Sequence, residues 1–135
     1  MTDARVPDPL SRSAGARARV WRLRPGGEFE RVRQTGRSWP HRLLIVIVQP
    51  RADEPAARSR VAIAAGKRLG KAVVRNRIKR RLREAIRQVY PQLASGYDLI
   101  VIARAPIIEA EVAQVTAALS EVLRRARIWP VESNA

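Results

Sequence analysis

The sequence predicts a two-layer α+β or α/β sandwich around one sheet. Three observations lead there. Apolar, β-branched runs of seven or eight residues alternate with stretches whose apolar residues recur every three or four positions. The resulting order is helix, strands, helix, strand, helix, which leaves helices to cover a sheet. At 135 residues the chain has enough length for one core and too little for two of ordinary size.

Taken in order, residues 1–20 hold Pro7, Pro9, Gly15 and few large apolar side chains, so they read as a basic tail outside the core. "PGGEFERVRQTG" predicts a short helix, with Glu28 and Glu30 at its positive end, Phe29 and Val32 on one face, and Gly36 as its stop. "RLLIVIVQP" predicts a buried strand, too short to span a membrane. "RVAIAAG" predicts another, antiparallel to it by the short connection, with alanines at 62, 64 and 65 leaving room for something bulky.

From Ala72 the period changes. Val74, Ile78, Leu82, Ala85, Ile86 and Val89 form one helical stripe that Pro91 ends. "YDLIVIAR" is a strand between Gly96 and Pro106. "IIEAEVAQVTAALSEVLRRARIW" predicts a long closing helix with Ile108, Val112, Val115, Leu119 and Val122 inward, its acids early and Arg124, Arg125 and Arg127 late. The domain expected is 21–129, followed by a short tail at 130–135.

Charge narrows the function. With 27 basic against 12 acidic residues, a net +15, the chain repels itself unless a polyanion is near. A membrane surface would need an amphipathic anchor, a lipidation signal or an apolar leader, and the opening residues show none of these. No cysteine is present, so thiol chemistry and disulfides are excluded and a cytoplasmic location is expected. The charge concentrates in "RNRIKRRLRE", where six of ten residues are Arg or Lys and Glu84 is the one acid. A merely solvated face mixes its signs, and like charges at Arg77/Arg81 and Arg83/Arg87 oppose the isolated helix. A docking surface for nucleic acid explains the arrangement better.

Other chemistries fit poorly. "GKRLGKA" is one residue short of a phosphate-binding P-loop, and Ala72 stands where Ser or Thr must hold magnesium. Free N–H groups of the helix with Lys67, Arg68 and Lys71 still suit an anion such as a backbone phosphate. A nuclease acting alone needs converging carboxylates or histidines, whereas His41 is the one histidine and the acids are scattered. A helix-turn-helix DNA binder lacks the preceding helix. A general RNA-binding protein of similar architecture remains the main rival.

"KRLGKAVVRNRIKRRLREAIR" resembles the signature of the bacterial ribonuclease P protein subunit: a basic pair, Gly, Ala-Val, an Arg-Asn-Arg core, then Lys-Arg and Arg-Glu. The likeness extends through "EFERVRQTG" and "DLIVIAR", over roughly residues 21–128. It implies the order α-β-β-β-α-β-α with a left-handed βαβ crossover through the basic helix. It implies further that a catalytic RNA, using magnesium, removes the 5′ leader of precursor tRNA while this protein binds the RNA and the leader. No catalytic side chain and no protein metal site are then expected. Lys67, Arg68, Lys71, Arg75, Asn76, Arg77, Lys79, Arg80 and Arg83 are the RNA-binding candidates, Asn76 doubling as an internal hydrogen bonder at the helix start. Phe29, Ile45 and Ile47 match the leader-binding cleft, Phe29 being equally readable as a core residue, and Arg33 is the further cleft candidate; Leu44, Val46 and Val48 face the core by alternation. The family's second aromatic is Arg33 here, which implies ionic or guanidinium stacking contact. Ala62, Ala64 and Gly66 replace the usual Gly and Ser residues, Arg68 replaces a common Lys, and Trp39 is either an added stacking surface or edge packing.

Overall fold

The computed structural model describes residues 22–23, 26–51 and 54–132, so the tail at 1–20 and residues 133–135 lie outside the described residues. The elements are α1 (Gly27–Thr35), β1 (Arg37–Pro40), β2 (Leu44–Pro50), β3 (Arg60–Ala64), α2 (Ala72–Val89), β4 (Tyr97–Ala103) and α3 (Val112–Arg125). This is the α-β-β-β-α-β-α order. The closing helix starts later than its apolar residues predicted. Pro106 and its neighbours form a 3₁₀ turn, and α3 opens at a capping box in which Glu111 and Gln114 satisfy each other's backbone N–H groups. Ile107 is therefore the buried residue of that segment, and Ile108 is exposed.

The sheet order is β1-β2-β4-β3. β2 and β3 run in opposite senses, as expected, yet they do not form a hairpin: β4 lies between them, antiparallel to β2 and parallel to β3. The neighbour that the short connection seemed to assign to β2 is instead β1, paired antiparallel from Arg37↔Val48 to Pro40↔Ile45. Full burial explains the insertion. β4 carries Leu99, Ile100 and Val101, which are apolar on both faces and suit a central strand.

The β3–α2–β4 crossover is left-handed. The N–H of Arg51 donates to the Gly96 carbonyl (2.7 Å) and that of Arg104 to the Leu43 carbonyl (3.0 Å), so even-numbered residues of β4 turn their backbone groups toward β2 and odd-numbered ones toward β3. Leu99 and Val101 pack with α2. For L-residues, seen from the α2 side with β4 running upward, this parity puts β3 to the right of β4. The chain enters β4 on the left of the strand it left, against the usual right-handed preference.

Each sheet face has its own core. Leu44, Val46, Val48, Val61, Leu99 and Val101 meet Ile78, Leu82 and Ile86 of α2 and Val115, Leu119 and Val122 of α3. Each such buried side chain stabilises by about 1.5–3 kcal/mol relative to exposure. On the other face Ile47, Ala62 and Ile100 meet Leu23 and Val32, with Phe29 partly buried beside them. α1 lies close on this face. A Cβ on Gly36 would stand 2.6 Å from Ile47 Cγ2, so the helix stop read from the sequence is also a close approach that only glycine permits.

Candidate nucleic-acid interface

The α2 face resolves into committed and uncommitted cations. Arg81 donates to the carbonyls of Ile108 (3.2 Å) and Ala110 (2.9 Å), tying α2 to the segment before α3. Arg87 pairs with Glu84, and that bond holds the Glu84 carboxyl below its usual value. Arg75, Arg77, Lys79, Arg80 and Arg83 have no carboxylate partner among the described residues. Asn76 is exposed four residues into the helix, and its amide has no partner among the described residues. The helix-start role considered for it is not what the structure displays.

At about 100° per residue, Arg75, Lys79, Arg83, Asn76 and Arg80 occupy one continuous flank of α2, and Arg77 stands about 60° beyond Arg80, toward Arg81. The flank faces the β3 edge, where Arg22 bridges to Val61. Burial lowers the Arg83 pKa, and the like charges of Arg22 and Arg80 lower it further. Arg22 and Arg80 thus lie near Arg83, and none of the three has a carboxylate partner among the described residues. The Arg75 Nε is buried with no acceptor. Lys67 and Arg68 are exposed on a 3₁₀ turn, and exposed Lys71 precedes α2, whose first turn has no side-chain cap. All nine candidates therefore lie on or just before α2. Arg22 was missed because one arginine in a basic stretch carries no signal of its own.

The cleft candidates lie on the opposite sheet face, which is laid out in rungs across the strands. One rung is Pro40, Ile45, Ile102 and Ala64, the next is Ser38, Ile47, Ile100 and Ala62, and the third holds Gln49, Asp98 and Arg60. α1 crosses above the last two, from Glu28 bonded to Arg60 of β3 to Thr35 bonded to Gln49 of β2. Ile47, Ile100 and Ala62 are consequently buried, whereas Ile45, Ile102 and Ala64 remain partly open. The result is an apolar groove along the first rung with α1 as one wall. Phe29 contributes its partly buried ring to that wall, and Arg33, one turn on, is exposed with Glu30 3.6 Å away. Ile45 lines the groove, but Ile47 is covered by α1. The room left by Ala62 is filled by α1, and only that at Ala64 stays open. Ile102 was overlooked, although its alternation with Ile100 was readable.

A buried ion cluster fixes α1 in place. Asp98 is fully buried and takes a bidentate contact from Arg60 (Nε–Oδ1 2.8 Å, NH2–Oδ2 2.8 Å), with Arg31 of α1 at 3.5 Å and Arg51 at 3.8 Å. Arg60 also reaches Glu28 at 3.2 Å, and its pKa is raised by Asp98 first. Trp39 lies on the α3 side of β1, opposite the groove, with Arg37 4.4 Å and Arg125 6.0 Å from its ring centre. Its edge-packing reading holds, and it is not a wall of the groove. His41 accepts the Leu43 N–H at Nδ1 (3.0 Å) and so shapes the β1–β2 turn. Among the described residues no group of three or more Asp, Glu or His side chains gathers as a metal site, and no helix is long and apolar enough to cross a membrane.

Comparison with known proteins agrees with this architecture. The family model described as Ribonuclease P matches residues 18–127. The ribonuclease P protein component of Roseiflexus castenholzii is 44% identical over 112 residues, covering 82% of this chain and 88% of the relative. That of Herpetosiphon aurantiacus is 45% identical over 111 residues, covering 82% and 88%. Among solved structures, the Staphylococcus aureus RNase P protein superposes with a TM-score of 0.71 at 30% identity, covering 81% of this chain and 97% of that one. The Thermotoga maritima RNase P protein gives 0.68 at 27% identity, covering 77% and 96%. With the signature on the basic helix, the superposed fold and the matched length in agreement, the chain belongs to the ribonuclease P protein family.

Proposed function

We propose that this protein binds the catalytic RNA of ribonuclease P through the β3-edge flank of α2, and the 5′ leader of precursor tRNA in the groove beside α1. The observation that carries the reading is the flank of α2 on which Arg75, Lys79, Arg80 and Arg83, with Arg22 near Arg83, have no carboxylate partner among the described residues, whereas Arg81 and Arg87 of the same helix are internally paired. Phosphates supply the missing charge, and guanidiniums take them in bidentate geometry. Lys67, Arg68 and Lys71 extend the same field to the open first turn of α2. The apolar rung with Phe29 offers stacking surface to unpaired bases, which tolerates any leader sequence. Arg33 adds charge at the groove rim.

Magnesium in this reading belongs to the RNA. The protein's part is to hold substrate and RNA together, and its own side chains make and break no bond at the scissile phosphate. The cell compartment is the cytoplasm, where precursor tRNA is processed. A general RNA binder explains the α2 flank equally well, but gives no role to the apolar groove on the opposite face.

The experiment is reconstitution with a bacterial ribonuclease P RNA at low magnesium. Protein-dependent cleavage at the mature 5′ end of precursor tRNA is expected, with tighter binding of leader-bearing than of leaderless tRNA. RNA binding without stimulation, when the RNA alone is active at high magnesium, would point to a general RNA-binding protein or a mismatched RNA.

A further inference from the structure

The groove has two ends, and the Arg37–Trp39 pair lies at the one farther from α2. Its floor runs from Ala64 on one edge strand to Pro40 on the other, so a chain entering from the β3 side leaves over β1. Neighbouring strands are about 4.8 Å apart, so the floor spans about 14 Å, room for on the order of three or four nucleotides. β1 is a four-residue edge strand, with no strand among the described residues on its outer side. From it Arg37 and Trp39 project to the face opposite the groove.

Part of this cluster is internal packing. Arg125 donates to the Pro40 carbonyl at 3.0 Å, and Trp39 packs partly against the core. Arg37 is different. It is exposed, lies over the indole at 4.4 Å, and has no carboxylate or other polar partner among the described residues. Stacking holds the guanidinium plane in place while its N–H groups stay open to a ligand.

We infer that Arg37, backed by Trp39, is an exit contact for leader nucleotides beyond those in the groove, binding a backbone phosphate as the strand turns around the β1 edge. The inference rests on the groove being the leader site, and it adds a dependence on leader length. Short leaders end before β1 and do not feel Arg37. Longer ones gain affinity from it.

The test uses the reconstituted holoenzyme under non-cleaving conditions, with leaderless tRNA and precursors carrying leaders of about three and about ten nucleotides. Wild type should bind the long leader more tightly than the short one, and Arg37→Ala should lose about five-fold or more for the long leader alone. Arg37→Lys, which keeps the charge, should recover part of that loss. Equal affinities of wild type and Arg37→Ala at both lengths would overturn the exit contact, as would an equal loss at both. A lowered denaturation midpoint with no length dependence would show Arg37 to be packing only. If wild type binds short-leader and leaderless tRNA equally while the long leader still gains through Arg37, the groove reading fails and the edge contact stands as a separate site.

Discussion

Asp98 has more consequence for this protein than any single basic residue, because three guanidiniums are arranged around one carboxylate that water does not reach. Removing one member of a buried ion cluster leaves the others uncompensated, typically at a cost of about 3–5 kcal/mol. Asp98→Ala should therefore lower the urea midpoint sharply, whereas Glu28→Ala, at the half-exposed outer end of the cluster, should move it little. Phe29 makes the complementary prediction. Phe29→Ala should weaken leader binding by roughly 1–3 kcal/mol while leaving RNA assembly unchanged. An unaltered leader affinity in the folded variant would remove Phe29 from the site. Sequence placed Phe29 beside Val32 and gave Asp98 no role, since a carboxylate opening an apolar strand looks the same whether its partners are water or three arginines.

At the scale of the element, α2 separates cations left without a carboxylate partner among the described residues from cations that hold the fold. Arg80→Ala should weaken assembly with the catalytic RNA and flatten the dependence of log affinity on log salt by about one unit. Arg81→Ala removes two hydrogen bonds to the Ile108 and Ala110 carbonyls, so it should lower stability by about 1–3 kcal/mol and leave the salt slope nearly unchanged. Equal slope changes in the two variants would mean that the pairing of Arg81 does not survive in solution. The stripe of α2 was legible because helical period leaves a plain trace. Which of its arginines were free was not, because Arg81 finds its acceptors 27 and 29 residues away. The late start of α3 has a local cause, the Glu111–Gln114 capping box, which its apolar pattern hid.

For the whole molecule, a net charge of +15 works against compactness and for polyanion binding at once. Added salt should raise the thermal midpoint of the free protein by screening its self-repulsion, and lower its affinity for RNA over the same range. Measured on one preparation, the two slopes should have opposite sign. By itself the sequence determined the nucleic-acid partner class, the α-β-β-β-α-β-α order through its signature, and the basic helix, since charge, period and motif are carried by neighbours along the chain. Tertiary structure alone decided that β4 enters between β2 and β3, that Ile45 stays open while Ile47 is covered, that Trp39 faces away from the groove, and that Arg22 joins Arg80 and Arg83. Each of these depends on which distant segments meet, and strand pairing across fifty residues is settled by burial on both faces of β4 and by the docking of α1, neither of which leaves a local pattern.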